Sequence, residues 1–329
     1  MKRWATCVVC LILFHSFAYA SNTITETYDP AKAARVKVLK KAPEYSPETL
    51  TAAQIDSLQA ALTKDRQQTQ EWLKSAPTSY LAAVSRKDFP QTPVLSVGSD
   101  PGADVRINDP TVMPRHLRIV VVGDSFRVEC IDPAARFTIK TDTLRNAVIA
   151  PGAIGIGRFM LRLSHQHYPA IIVFNPDSPR YAEFKGMKWF PPDFKYRFVL
   201  PMVPNPVPDT LIIQSTHSEP RKAYRAGWFV FKIGGKKCVL EATRLLEPGV
   251  GEKDVSVFFR DETTGKETYG VGRYVDPQRL DDGRYVLDFN EAYSPACAYS
   301  TQYNCPVPSK DNRLKVDVRA GEMDAHYLH

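Results

Sequence analysis

The chain has 329 residues, of which 43% are hydrophobic and 24% are charged, and its formal net charge is +7. This composition excludes fibrous and disordered proteins, and the length exceeds that of one ordinary core, so two folded units are expected. The 26 prolines, 15 tyrosines and 16 phenylalanines favour β-structure with many turns over a helical bundle.

Residues 1–20 are typical of a cleaved export signal. A basic start precedes an apolar run over residues 4–17, and the Ala-Tyr-Ala at 18–20 supplies the small residues that signal peptidase recognises. A membrane anchor is the alternative, but the run is shorter than the about 20 apolar residues that a spanning helix needs. The sequence therefore predicts an exported protein, periplasmic or secreted, without stable membrane insertion after processing.

The charge and the motifs of the mature chain indicate no nucleic acid, cofactor or metal. Loss of Lys2 and Arg3 with the signal lowers the net charge from +7 to +5, and no basic run is interleaved with aromatic residues. The sequence contains no GxSxG, HExxH, Walker or GxGxxG pattern. We therefore expect no nucleic-acid partner, no cofactor and no metal site.

Residues 21–45 mix Thr, Lys, Ala and Pro without periodicity and are predicted to be a flexible lead-in. Helix signals follow over residues 46–89. Ser46 precedes a proline, Thr51 and Gln54 have the spacing of a capping box, and apolar residues three or four apart share one face. We predict one or two helices that pack through this face, which contains Ile55, Leu58 and Leu62.

Residues 90–175 alternate apolar and polar side chains in short runs separated by Gly and Asp-Pro turns, which is typical of a β-sandwich. The stretches VGSDPGADVRINDPTVMPRHLRI and APGAIGIGRFMLRL resemble a forkhead-associated domain. The resemblance implies the sandwich fold, a structural role for His116, and phosphothreonine binding where the family's binding residues are present.

Those binding residues are not found in this sequence. The family uses an Arg after the first Gly, a Ser-Arg pair before the His and a later Asn-Gly. Here Ser99 replaces the Arg, Met113 and Pro114 replace the Ser-Arg pair, and residues 134–137 contain no Asn-Gly. The resemblance therefore supports the fold alone, and no phosphothreonine peptide is expected as a partner.

Residues 176–322 are predicted to form an antiparallel β-domain, followed by a polar tail at 323–329. Gly234 and Gly235 separate two alternating runs, which indicates a hairpin, and Thr263-Thr264-Gly265 marks a second. The last predicted strand is 314–318. The expected fold class is therefore mainly β, with an N-terminal helical segment, a forkhead-associated-like β-sandwich and this antiparallel β-domain with a long irregular loop.

Four cysteines remain after processing. Cys297 and Cys305 lie close together in a loop with little regular structure, and in an oxidising compartment they are the expected disulfide. The alternative is a metal pair, but two thiolates without a nearby histidine make only half of a zinc site. Cys130 and Cys238 lie in apolar alternating runs and are expected to be buried free thiols.

Four ordered motifs mark the C-terminal block, which we define as residues 255–322. The motifs are FFRDETTGKETYGVGRY, LDFNEAYSPACAY, CPVPSKDNRL and VRAGE. Together they resemble the bacterial family catalogued as domain of unknown function 1684, and the resemblance extends loosely over most of the mature chain. It implies no established reaction, cofactor or catalytic residue for this sequence.

The C-terminal block concentrates charged and amide side chains that would surround one pocket if its loops converge. Paired carboxylates suit acid/base work, and guanidinium groups bind carboxylates, phosphates or sugars bidentately. Alternatively, the same groups satisfy one another and brace a loop that lacks backbone pairing. The candidate ligand-binding residues are Asp261, Tyr269, Arg273, Asp288, Asn290, Asn312, Arg313 and Glu322.

The sequence leaves three functions open. The first is an exported β-rich protein that binds a small polar or glycan-type envelope ligand, or an envelope protein, through the C-terminal block. The alternative is a hydrolase for a polar envelope substrate, with Asp261 or Asp288 as acid or base. The third is a purely structural envelope protein, in which the polar block is internal bracing.

Overall fold

The computed structural model describes residues 29–166 and 168–325. It is mainly β, with an N-terminal helical segment and several antiparallel sheets, which confirms the predicted fold class. The proposed signal at 1–20 and the last four residues of the predicted tail lie outside the described residues. Within the described part of the chain, no helix has the length and apolarity needed to span a bilayer.

The first helix, α1 (Pro30–Lys41), lies where the sequence predicts a flexible lead-in, so that prediction is wrong for these residues. Asp29 precedes the helix, and its carboxylate accepts hydrogen bonds from the backbone N–H groups of Ala31 and Lys32. Proline at the first helical position already has the backbone angle that a helix requires. These local signals suffice for a helix although no side chain of α1 is buried.

The second helix, α2 (Ala52–Ser75), has the predicted capping box, in which Thr51 and Gln54 hydrogen-bond each other's backbone. Its buried contacts are Leu62 and Leu73. The predicted helical segment nevertheless ends early, because residues 83–88 form a strand rather than a second helix.

That strand, β1, is the edge of the first of two sheets that pack face to face. The first sheet has the order β1-β11-β10-β9-β6-β7 and the second the order β3-β2-β4-β5-β8. The strands are β1 (Ala83–Asp88), β2 (Val94–Gly98), β3 (Val105–Arg106), β4 (Leu117–Val122), β5 (Ser125–Cys130), β6 (Phe137–Ile139), β7 (Asp142–Leu144), β8 (Asn146–Ile149), β9 (Gly152–Ile156), β10 (Phe159–Gln166) and β11 (Tyr168–Phe174).

The core of this sandwich explains the alternating sequence pattern. Leu117 and Ile119 of β4 face Leu161 and Leu163 of β10 in one apolar cluster, and all four side chains are fully buried. Side chains two residues apart on a strand share a face, so the intervening residues point to solvent. Each Å² of apolar surface that is removed from water contributes about 25 cal/mol, so the burial of this cluster stabilises the sandwich.

The C-terminal domain is built around a long hairpin of β16 and β17, which turns at Gly234 and Gly235 as the sequence predicts. The stretch 314–318, predicted as a strand, contains none. The elements are α3 (Arg180–Glu183), β12 (Lys188–Trp189), β13 (Arg197–Leu200), β14 (Val203–Pro204), β15 (Thr210–Ile213), β16 (Arg221–Ile233), β17 (Lys236–Leu245), β18 (Val257–Phe259), β19 (Arg273–Val275), β20 (Gln278–Arg279), β21 (Tyr285–Asp288) and β22 (Glu322–Met323), with 3-10 turns at Tyr80–Ala82, Phe194–Tyr196, Phe289–Glu291 and Ala296–Ala298.

Helix α2 docks on the C-terminal domain. The Arg66 guanidinium donates to the carbonyls of Phe190 at 3.1 Å and Asn290 at 3.3 Å. Leu73 is buried against Leu81 and Tyr299 in a separate apolar cluster. The N-terminal helical segment, the sandwich and the C-terminal domain therefore meet near the loop that carries Tyr299.

Candidate functional site

The largest fully buried side chain of the C-terminal block is that of Arg273, which forms an ion pair with Asp261 at 3.3 Å. Its guanidinium also donates to the backbone carbonyls of Val318, Ala320 and Glu322. Burial lowers the pKa of Arg273, while the Asp261 charge acts in the opposite direction. This guanidinium joins two chain segments and does not face solvent.

Asp261 is saturated by its neighbours. Its carboxylate accepts hydrogen bonds from the hydroxyls of Thr263 and Thr264 and from the backbone N–H of Val318 at 2.7 Å, besides the Arg273 contact. A buried carboxylate needs such donors to replace lost hydration. All of its acceptor sites are directed into the protein.

Asp288 forms an ion pair with an arginine from outside the C-terminal block. It pairs with Arg197 of β13 at 3.0 Å, not with Arg273 or Arg313. Its other oxygen accepts from the backbone N–H and the side-chain amide of Asn290, at 2.9 and 2.8 Å, and so caps the turn Phe289–Glu291. Arg197 and Asp288 are directly paired residues on the neighbouring strands β13 and β21, so their charges lie opposite each other.

We expect Asp288→Ala to lower the free energy of unfolding by about 2 kcal/mol, because the turn loses its cap and Arg197 loses its buried partner. Arg197 keeps its second partner, Glu48, at 3.0 Å, which limits the loss. Urea unfolding measures the change, with Asp282→Ala as the matched exposed control. Equal losses in the two variants would contradict the capping role.

The side-chain amides of Asn290 and Asn312 form hydrogen bonds with the backbone of other segments. Asn290 exchanges two hydrogen bonds with the backbone of Asp193, at 2.8 and 3.1 Å. Asn312 accepts from the N–H of Glu241 and donates to the carbonyls of Glu241 and Phe258. Each amide thereby supplies hydrogen bonds to backbone groups that have no strand partner in the irregular loop.

The remaining candidates lie apart from these. Arg313 is exposed, and the one carboxylate that it meets among the described residues is that of Glu262, at 3.7 Å. The Tyr269 hydroxyl donates to the Cys297 carbonyl at 3.3 Å. Glu322 is fully buried and accepts from the Tyr299 hydroxyl and from the Ser294 N–H at 2.9 Å. Seven of the eight predicted residues therefore belong to internal networks, Arg313 is exposed, and none of the eight lines a cavity described below.

A cavity of about 210 Å³ lies at the junction of the sandwich and the C-terminal domain. Its walls come from the 3-10 turn before β1, from strands β10, β11, β16 and β19, and from the loop after β21. The lining residues are Tyr80, Arg162, Ser164, Gln166, Ile172, Arg221, Tyr274, Tyr293, Pro295, Ala296, Tyr303, Asn304, Cys305 and Pro306.

The polar groups in this junction cavity are not all satisfied by the protein. The Tyr303 side chain is 92% buried, and its hydroxyl has no hydrogen-bond partner among the described residues. No described carboxylate pairs with the exposed Arg162 guanidinium. By contrast, Arg221 is held by both oxygens of Glu247, at 2.5 and 2.7 Å. One buried hydroxyl and one guanidinium are thus available to a ligand.

The tyrosines keep their protons at ordinary pH. Burial raises the pKa of Tyr80, Tyr274, Tyr293 and Tyr303, and the neighbouring Cys305 acts in the same direction. The Arg162 charge opposes this shift at Tyr80 and Tyr303, which places its positive field inside the cavity. The site therefore offers one neutral hydroxyl donor, that of Tyr303, and one unpaired positive charge.

Three wider depressions, of about 530 to 580 Å³, lie elsewhere on the surface. Two of them share Lys253, Val255 and Arg279 beside the loop after β17. Their lining residues are exposed or half-buried, except for Val255, Pro277 and Tyr285. Only the junction cavity combines buried walls with an unsatisfied buried hydroxyl among the described depressions, so it is our candidate site.

The structure does not contain the predicted disulfide. All four described cysteines are free thiols, although the Cys297 N–H donates to Cys305 Sγ at 3.3 Å. The Cys130 and Cys238 thiols lie apart from this pair, at two strands of different sheets. Among the described residues, no three His, Cys, Asp or Glu side chains come together as metal ligands.

The sequence patterns miss most of the junction cavity because its residues come from distant segments. Tyr80 follows α2, Arg162 lies on β10, and Tyr303 lies in the loop after β21. One signal in the sequence is the stretch AYSPACAYSTQYNC, which contains three tyrosines. Large aromatic side chains at this density indicate that the loop packs against other parts of the protein. Whether these tyrosines line a cavity depends on which strands pack against the loop. Those contacts join residues that are far apart in sequence, so the local sequence does not reveal them.

The solved structures that resemble this chain include a relative of moderate sequence identity. It is an uncharacterized protein from Haloarcula marismortui, solved by solution NMR, with 32% identity and a TM-score of 0.37. The match covers 47% of this chain and 83% of that chain. No curated protein matches the sequence significantly.

Two forkhead-associated domains are similar at lower identity. One comes from a study of phosphothreonine-dependent interactions of such domains, with 22% identity, a TM-score of 0.19, and coverage of 25% of this chain and 76% of that chain. The other is the FhaA domain complexed with an intracellular domain, with 22% identity, a TM-score of 0.19, and coverage of 24% and 78%. Residues 182–323 match the family model described as protein of unknown function DUF1684, and through these residues the chain belongs to that family.

Proposed function

We propose that the protein is an exported binding protein that holds a small carboxylated ligand in the junction cavity. The observation that carries this proposal is the Tyr303 hydroxyl, which is buried without a partner beside the unpaired Arg162 guanidinium. An unsatisfied buried hydroxyl costs about 1–3 kcal/mol, and a ligand oxygen would remove that cost. A guanidinium binds a carboxylate through two parallel hydrogen bonds.

The cavity size limits the ligand. At about 30 Å³ per water, 210 Å³ holds about seven waters, which is below the about 300 Å³ of pockets for drug-sized ligands. A single sugar acid has a suitable size, an apolar ring face for the tyrosine rings and a carboxylate for Arg162. We therefore propose a sugar acid as the ligand class, in keeping with the glycan-type ligand expected from the sequence.

Other parts of this proposal rest on the sequence. We propose export to the periplasm or outside the cell because residues 1–20 have the pattern of an export signal, and a bacterial source because of the family resemblance. A forkhead-associated-like origin of the sandwich is supported by its motifs, and Ser99, Met113 and Pro114 in place of the binding residues favour loss of phosphothreonine recognition. A Cys297–Cys305 disulfide in the exported protein remains a proposal.

A structural role is the second candidate, and one observation favours it. Seven of the eight candidate residues in the C-terminal block are buried and bonded internally, as expected if the block only holds two units together. The hydrolase alternative has less support, because both Asp261 and Asp288 are ion-paired and buried, and neither lines a described cavity. An acid or base must reach the substrate, directly or through one water.

Titration calorimetry with glucuronate and glucose tests the binding proposal. We expect glucuronate to bind at least tenfold more tightly than glucose, because only glucuronate pairs with Arg162. Arg162→Gln should remove this difference, and Tyr303→Phe should weaken glucuronate severalfold without loss of stability, since its hydroxyl has no partner.

The matched controls are Arg118→Gln, exposed on the sandwich, and Tyr224→Phe, which lies against Arg244 away from the cavity. Neither control should change the affinity. Absence of glucuronate binding, or binding that all four variants leave unchanged, would overturn the proposal.

A further inference from the structure

Two cysteine thiols contact each other beside the junction cavity. Cys297 lies in the turn Ala296–Ala298, and Cys305 follows eight residues later. The Cys297 N–H donates to Cys305 Sγ at 3.3 Å, and the two thiols hydrogen-bond each other. Both are buried and both are reduced. The two side chains therefore lie side by side, with their sulfur atoms outside the bonding distance of a disulfide.

The two thiols differ in what they face. Cys305 lines the cavity, whereas Cys297 does not line it and accepts from the Tyr269 hydroxyl at 3.7 Å. Hydrogen bonds from Cys305 and Tyr269 lower the pKa of the Cys297 thiol, and the bond to Cys297 together with burial raises the pKa of Cys305. When the pair releases one proton, the other is shared between the two sulfurs.

We propose that Cys297 and Cys305 form a thiol–disulfide exchange site, whose substrate is a small carboxylated disulfide that enters through the cavity. Cys305 is the attacking thiol because it lines the cavity, and Cys297 is the resolving thiol because it lies against Cys305. The exchange itself needs only this pair. The preference for carboxylates rests on the proposed function, since Arg162 provides the unpaired positive charge.

The exchange proceeds in two displacements. With one proton already released, the remaining proton moves from Cys305 to Cys297, and the Cys305 thiolate attacks the substrate disulfide to form a mixed disulfide. The first leaving thiolate takes the proton from Cys297, whose thiolate then attacks Cys305 Sγ. The second leaving thiolate takes a proton from water. The dithiol loses two electrons, and one substrate disulfide becomes two thiols.

The other two described cysteines are internal controls. Cys130 contacts the Leu144 carbonyl at 3.9 Å, and Cys238 contacts the Lys236 carbonyl at 3.6 Å. Burial raises the pKa of both thiols, and neither is adjacent to a second sulfur. A thiol that keeps its proton and has no resolving partner reacts slowly with disulfides. Both should therefore remain unmodified under conditions that oxidise Cys297 and Cys305.

The probe is 3,3′-dithiodipropionate, with the neutral bis(2-hydroxyethyl) disulfide of the same length as its control. The reduced protein without residues 1–20 is incubated with the probe, quenched with a maleimide and mapped by mass spectrometry. We expect a Cys297–Cys305 disulfide, labelled Cys130 and Cys238, and full reversal by excess 3-mercaptopropionate. Cys297→Ser should trap the adduct on Cys305, and Cys305→Ser should form none.

The results separate this inference from the proposed function. Exchange with the charged probe should be about tenfold faster than with the neutral one, and Arg162→Gln should abolish that difference. Equal rates in the unchanged protein would contradict the carboxylate preference, and with it the proposed ligand class. No reaction of the unchanged protein, or a disulfide that excess thiol cannot reduce, would overturn the exchange site itself, whether or not the serine variants fold.

Discussion

Replacing Arg273 with methionine is expected to lower the free energy of unfolding by about 3–5 kcal/mol. The substitution leaves the Asp261 carboxylate buried without its counter-charge, and three carbonyls lose the guanidinium donor. Methionine fills much of the same volume, so the loss reports the polar contacts and not a cavity. Urea unfolding monitored by tyrosine and tryptophan fluorescence measures it.

Arg313→Met is the matched control, because this arginine lies in the same block but is exposed and pairs only at 3.7 Å. Its loss should stay within about 0.5 kcal/mol. Arg273→Lys should fall between the two, since an ammonium keeps the charge but cannot reproduce the planar set of donors. A loss below about 1 kcal/mol for Arg273→Met would refute the bracing role.

The stability of the protein is expected to fall between pH 5 and pH 8 through Glu322. Burial raises the pKa of its carboxyl to about 7, although the hydrogen bonds from Tyr299 and Ser294 act in the opposite direction. The unfolded chain releases this proton near the ordinary value of 4.5. The folded state therefore binds one more proton in this range, and a rise in pH favours unfolding.

The size of the loss in unfolding free energy follows from the difference between the folded and unfolded pKa of Glu322. The stabilisation is complete below pH 4.5 and is lost as the pH rises through about 7, by roughly 3 kcal/mol at 1.36 kcal/mol per pH unit. Glu322→Gln removes the titration. Its amide can donate to the Tyr299 oxygen while its carbonyl accepts from the Ser294 N–H, so the variant keeps both contacts at every pH.

Unfolding in urea at intervals across pH 5–8 checks this prediction. The difference in unfolding free energy between the unchanged protein and Glu322→Gln isolates one carboxyl, because all other titrating groups are common to both. Glu262→Gln, an exposed substitution, should give a curve parallel to that of the unchanged protein. Parallel curves for Glu322→Gln as well would show that Glu322 does not titrate in this range.

The features predicted from sequence are those with a local cause. The hairpin at Gly234 and Gly235 follows from two glycines with positive φ between alternating runs. The capping box of α2 needs only Thr51 and Gln54. Strand β1 was missed because its polar sequence has no period-two pattern, and it becomes a strand by pairing with β11, about 85 residues later.

The candidate site failed to follow from sequence for a related reason. Asp261, Arg273 and Asp288 carry the same donors and acceptors whether they face a ligand or one another, and residue type does not distinguish the two. The Asp261–Arg273 pair was predictable because a hairpin joins the two residues. The partner of Asp288 was not, since Arg197 lies on a strand that is distant in sequence.

The docking of helix α2 has a consequence for the time course of folding. Arg66 bonds to the carbonyl of Asn290, which is 224 residues away. The last strand, β22, pairs with β12 across more than 130 residues. Contacts of such separation cannot form until almost the entire chain has been delivered, and they slow the search for the native state. During synthesis, helix α2 therefore emerges before the residues that cover Leu73, and at this stage the chain most needs a chaperone.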